Sequence, residues 1–167
     1  MSKKKLVIFF LVLCVIFFDF FRDYIFQNIN FQLHYLAHFK QGNASTVNMT
    51  DSTMEFFVKD LSRTTLIYLK WLFSVLFILI YLILTILLSK LIYKNQPSRL
   101  LISTVFFLST ISILFYFFCV KSKSIVMSNS FYGISIEISH FLQSSLFVIS
   151  MLMIFKVYPL FKTAPNK

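Results

Sequence analysis

The chain has 167 residues, of which 58% are hydrophobic and 13% charged, with a formal net charge of +10. Soluble domains carry roughly a quarter charged residues, so this composition excludes an ordinary water-soluble fold. The cations flank apolar runs, which membrane topology explains and nucleic-acid binding does not.

In chain order, Lys3, Lys4 and Lys5 precede the apolar run LVIFFLVLCVIFF. No small-residue cleavage site follows it; the run ends at Asp19, Arg22 and Asp23. An uncleaved signal-anchor over 6–21 is therefore expected as the first span. Residues 22–65 form the longest connection and are read as the outer segment. Within it Asn30 can cap a short helix over 31–40 that stops before Gly42. The alternation from Ile29 to Leu33 also allows a strand. The stretch GNASTVNMT is a polar loop with two N-x-S/T patterns, at Asn43 and Asn48, which matter only in a eukaryotic secretory route. Ser52 and Glu55 have capping-box spacing. After them Met54, Phe57, Val58 and Leu61 share one helical face, and Glu55, Lys59 and Arg63 another. That pattern predicts an amphipathic helix lying on the membrane surface.

Residues 71–89, WLFSVLFILIYLILTILLS, hold no charge, Gly or Pro. A helix of that length crosses a bilayer core, with Lys70, Trp71 and Lys90 at its ends as interfacial anchors. A basic turn with Pro97 leads to a third span over 100–120. A polar loop over 121–129 and a fourth span over 133–155 follow, then a basic tail. The expected fold is all-α, one membrane domain over 1–167. It is an integral membrane four-helix bundle with the amphipathic surface helix in its first outer loop. The short basic segments with Lys3, Lys4, Lys5, Lys90, Lys94, Arg99, Lys156, Lys162 and Lys167 fall on one side, which the positive-inside rule makes cytoplasmic. Both termini are then inside, in an inner (plasma) membrane. Cys14 and Cys119 lie in different spans with no CxxC partner, and are read as two buried small hydrophobes.

Ionisable groups near membrane depth are where function concentrates. Asp19, Arg22 and Asp23 share a face at i, i+3, i+4. They form either a binding or proton-handling site or, more simply, an ion pair that holds the helix end. Gly133, Glu137, His140 and Ser144 make a stripe on the fourth helix. Glu137 and His140 have the chemistry of an acid/base pair or of two metal ligands. His34 and His38, at i, i+4, are the other histidines, so His34, His38 and His140 form a weak metal-ligand set. Packing among Phe31, Tyr35 and Phe39 accounts for the first two equally well. Ser74, Tyr81, Thr85, Ser103, Thr110, Ser112 and Ser150 are hydroxyls expected to bond their own helix backbone. No Gly- or Pro-broken span, nucleotide fingerprint or Ser/Cys triad is present.

The segment from Asp19, Phe20, Phe21, Arg22 and Asp23 to Asn28 and Asn30 follows the first span. Tyr68, Lys70 and Trp71 open the second, and His140, Gln143 and Ser144 lie in the fourth. Together they resemble small uncharacterised four-span inner-membrane proteins of Bacteroidota. More loosely the chain is similar to the exosortase-associated membrane proteins of that group. The resemblance implies the four-span layout. It implies no exosortase activity, because Cys14 and Cys119 lack the Cys, Arg and His setting of those enzymes.

The function expected from these readings is a non-enzymatic accessory or scaffold subunit of a bacterial envelope membrane complex. Its docking surface would be the 22–65 segment and the Glu137 stripe. The alternative is a membrane-embedded enzyme or metal-binding protein with its site at the outer face. The partners are the lipid bilayer and other membrane proteins, with no nucleic acid and no cofactor.

Overall fold

A computed structural model describes residues 3–40, 54–58, 61–93, 98–122 and 124–162, without the side chains of 38–40, 55, 56, 98 and 158–162. The expectations for Asn43, Asn48, Ser52, Lys59, Lys94, Pro97 and Lys167 lie outside the described residues. Among the described residues there are six helical segments: α1 (Lys3–Lys40), α2 (Glu55–Val58), α3 (Arg63–Ile92), α4 (Ser98–Lys121), α5 (Ile125–Leu142) and α6 (Ser145–Lys162). No strand occurs among them, so the all-α expectation holds there and Ile29–Leu33 is helical.

The protein is a membrane protein, and among the described residues two or three helices are long and apolar enough to cross a bilayer. Arg63–Ile92 and Arg99–Lys121 each qualify by length and composition. Ile125–Leu142 with Ser145–Val157 is a third if the two count as one broken span. The helices differ from the expected elements in three places. First, α1 does not stop near Phe21. It runs 38 residues, or about 57 Å at 1.5 Å per residue. No Gly or Pro precedes Gly42, so nothing breaks the helix where Asn30 was expected to cap a new one. The uncharged stretch from Leu6 to Phe18 is short, about 20 Å against the ~30 Å of a bilayer core, and Lys5 and Asp19 bound it. Second, the amphipathic surface helix is a single turn, Glu55–Val58. A new helix starts after Ser62, whose Oγ accepts the backbone N–H of Thr65 at 3.2 Å. Third, the predicted fourth span is two helices bent by 68° at Gln143 and Ser144. It also begins earlier, at Ile125. The polar loop is accordingly shorter than expected, because Ser128, Asn129 and Ser130 are helical.

The chain divides into two compact units. In Phe17–Phe77, α1 buries Ile25, Asn28, Ile29 and Gln32, the i, i+3, i+4, i+7 stripe of one helix face. Leu66 and Phe77 of α3 are fully buried, and Phe77 meets the rings of Phe21, Phe26 and Phe73 at centroid distances of 6.3, 6.0 and 6.4 Å.

The other unit comprises Met1–Ile16 and Ile78–Lys167. Its core is Leu101, Val105, Leu142, Phe147, Met151 and Phe155, with Ile78, Leu82 and Ile86 of α3, and Tyr93 just after it, packed against it. The Tyr93 hydroxyl donates to the Leu152 carbonyl at 3.0 Å, tying the end of α3 to α6.

Candidate functional site

In the unit Phe17–Phe77 the charged cluster is a local ion pair. Arg22 Nη1 lies 3.6 Å from Asp19 Oδ1, and Nη2 lies 2.7 Å from Asp23 Oδ1. The Arg22 Nε also donates to Asp23 Oδ1, at 3.0 Å. The guanidinium is mostly covered while Asp23 stays in solvent. A partly covered cation held by two carboxylates on its own helix fixes that helix segment.

Five residues beyond Asp23, polarity turns inward. Asn28, 4% exposed, and Gln32, 2% exposed, sit in the buried stripe of α1. The Asn28 amide donates to the Tyr24 carbonyl at 2.7 Å, and its Oδ1 accepts the Met54 backbone N–H at 3.1 Å. A single side chain thus pins the chain 26 residues away, at the turn that opens α2. Lys70 Nζ donates to Asn30 Oδ1 at 2.9 Å, a further tie that joins α1 to α3. Asn30 therefore holds a partner helix instead of capping its own. None of Asn28, Gln32 or the Asn30 tie follows from sequence periodicity, which treats Asn and Gln as surface residues.

His34 is exposed on α1, and His38 is helical with its side chain outside the described residues. Glu137 and His140 are both exposed on α5, in the other unit. Ser144 leaves their stripe, because the helix ends at Leu142 and the Ser144 hydroxyl donates to the Phe141 carbonyl at 2.7 Å. Among the described residues no three His, Cys, Asp or Glu side chains gather to hold a metal ion.

Another polar feature is the seam between α4 and α5, two helices that pack along their length. Ser112 Oγ donates to the Ser135 carbonyl and Ser135 Oγ to the Ser112 carbonyl, each at 2.9 Å. Each hydroxyl has one proton, so these reciprocal bonds use both. Seven residues away on each helix, Ser128 Oγ donates to the Cys119 carbonyl at 3.1 Å and lies 3.4 Å from Cys119 Sγ. Seven residues the other way stand Val105 and Leu142, both in the buried core. A seven-residue repeat on both helices is the spacing of a coiled-coil seam, here with small residues that let the backbones approach. Cys119 belongs to this seam and is half-covered, whereas Cys14 is exposed; both are free thiols. Neither is the fully buried hydrophobe expected from its apolar setting.

Of the hydroxyls expected to bond their own helix, Thr85 and Thr110 do so, and Ser112 instead bonds across to α5. Thr85 donates to the Tyr81 carbonyl, Ser89 to Ile86, Thr104 to Leu100 and Thr110 to Phe106, at 2.7–2.9 Å. No family model matches the chain, and neither a curated protein nor a solved structure is significantly similar to it.

Proposed function

We propose that the protein is a non-enzymatic accessory or scaffold subunit of a bacterial envelope complex. In this reading it sits in the inner membrane as a four-helix bundle with both termini cytoplasmic. The observation that supports it is how the polar groups are spent. Thr85 and Thr104 close onto carbonyls of their own helices, and the reciprocal Ser112 and Ser135 bonds hold α4 and α5 in register. That is the chemistry of a rigid framework. The orientation rests on the cations: Lys3, Lys4, Lys5, Lys90, Arg99 and Lys156 all fall on the side assigned to the cytoplasm. The outer segment, pinned through Asn28 and Lys70, supplies the docking surface. Purification of the full chain in mild detergent is expected to retain a second membrane protein at fixed stoichiometry. Repeated recovery of the chain with no other protein would remove the proposal.

The second reading, a membrane-embedded metal or acid/base site, is favoured by the shared exposure of Glu137 and His140 at i, i+3 on α5. Metal analysis of the purified protein beside a His34→Ala, His38→Ala, His140→Ala variant tests its metal form. An accessory subunit predicts the same metal content in both, and loss of bound metal in the variant would reverse the ranking.

A further inference from the structure

Helix α5 has two opposed faces with the same seven-residue spacing. One, Ser128, Ser135 and Leu142, is taken by α4 and the core. The other carries Ser130, Gly133, Glu137 and His140, separated by three, four and three residues, and all four are exposed. Glu137 stands two residues from Ser135, about 200° around the helix and so on the far side. A Cβ added at Gly133 would meet nothing within 4 Å.

The seam sets the depth of this face. Two residues beyond Ser135 is Glu137, and two before Ser112 is Thr110, so the pairing puts Glu137 level with Thr110. Thr110 is the middle of the candidate span Arg99–Lys121. Among the described residues no hydrogen bond or ion pair engages the Glu137 carboxylate. A carboxylate at mid-span that faced hydrocarbon would be strongly disfavoured, and such groups are covered by polar partners.

We propose that this face is the interface of a homodimer, in which Glu137 of each copy meets His140 of the other. The charge pattern selects a second copy over other occupants. The imidazole donor that the carboxylate needs stands one turn away on the same stripe, a rise of about 4.5 Å. Two copies inserted in the same direction, related by a two-fold axis along the membrane normal, make both contacts at once. Ser130 and Gly133, small and open, let the two α5 backbones approach. This inference goes beyond the accessory-subunit reading and does not rest on it. A homodimer with no other protein would sink that reading and leave this one.

The test uses the full chain with Cys14→Ser and Cys119→Ser, carrying one new cysteine and reconstituted in phosphatidylethanolamine/phosphatidylglycerol vesicles. With Gly133→Cys, mild oxidation is expected to give a disulfide-linked dimer. Its yield should exceed by about tenfold that from Ile113→Cys, an exposed α4 position at similar depth, and Glu137→Leu should cut the Gly133→Cys yield by a similar factor. Because Glu137→Leu can act through folding, light scattering on the unmodified protein in mild detergent provides a second measurement, and a dimer mass is expected. Equal yields at the two positions, a yield indifferent to Glu137→Leu, or a monomer mass at every concentration would each overturn the proposal. So would capture at residue 133, in native membranes, of a different protein in place of a second copy.

Discussion

Ser135→Leu should separate α4 from α5. At this level each serine hydroxyl reaches the carbonyl of the residue opposite, at 2.9 Å in both directions. Such contacts need small side chains, and a leucine at 135 must push the helices apart. Overpacking a close contact costs about 1–3 kcal/mol. Interhelical hydrogen bonds in membranes contribute about 0.6–2 kcal/mol each, and the change removes one and strains the other. The expected total is about 2–5 kcal/mol, on the order of 10 °C in a detergent melting curve if the transition is cooperative. Ser135→Ala, which removes one bond without adding volume, should cost only about 1 kcal/mol. A register-specific readout comes from Ser128→Cys in a Cys14→Ser background, where the new thiol faces Cys119 across the same seam. That variant should form an intramolecular disulfide under mild oxidation, and adding Ser135→Leu should abolish it. A disulfide that forms equally well with leucine at 135 would show that the two helices are not held by this seam.

The seam marks the limit of what the sequence discloses. Helix α3 was legible because nineteen uncharged residues between Lys70 and Lys90 have one use in a bilayer, and α4 for a similar reason. Their ends are fixed by charge, which a linear reading detects. The pairing of α4 with α5 depends on which residue of one helix lies opposite which residue of the other. The repeat Val105, Ser112, Cys119 is visible only once Leu142, Ser135 and Ser128 are set against it. The bend was hidden for a different reason. The usual breakers are Gly and Pro, and neither stands near Gln143. The signal was the polar density of Ser139, His140, Gln143, Ser144 and Ser145, which the average hydropathy of the fourth span conceals. There Gln143, 1% exposed, donates to Ser139 Oγ at 2.7 Å, and its backbone N–H closes the last turn of α5.

The charged candidates show the same division. The spacing of Asp19, Arg22 and Asp23 is local to one helix, and the ion pair it implied is present. The stripe of Glu137 and His140 was legible as a stripe, but its depth was not. Reading the helix from Gly133 placed Glu137 in a first turn, near a membrane surface. The helix begins at Ile125, which makes Glu137 its thirteenth residue, level with the middle of α4. An eight-residue shift in one boundary therefore changes the chemistry expected of the carboxylate, from a solvated surface group to one that needs a partner.

In the unit built from Phe17–Phe77 the largest effect is expected from Asn28→Leu. Leucine is close to asparagine in volume and suits the neighbouring Ile25 and Ile29, so the helix itself should tolerate it. The Tyr24 carbonyl keeps its place in the α1 backbone ladder. The Met54 N–H does not, because its acceptor at 3.1 Å is the Asn28 side chain. Leaving a half-buried donor without its partner costs about 1–3 kcal/mol, which is roughly 5- to 150-fold in the opening equilibrium of the segment it secures. That segment contains Val58, 2% exposed, which can stay packed only while the turn at Met54 is held. Hydrogen exchange should therefore rise by one to two orders of magnitude at Phe57, Val58 and Leu61, whose amides bond within this turn. Protection along α4 and α5 should not change. Asn30→Ala removes the exposed tie to Lys70 and should stay within about 0.5 kcal/mol, because exposed polar contacts of this kind contribute little. Equal exchange in the two variants would mean that the Asn28 side chain does not anchor the outer segment. A rise confined to Asn28→Leu would identify this one buried amide as what holds the proposed docking surface to α1.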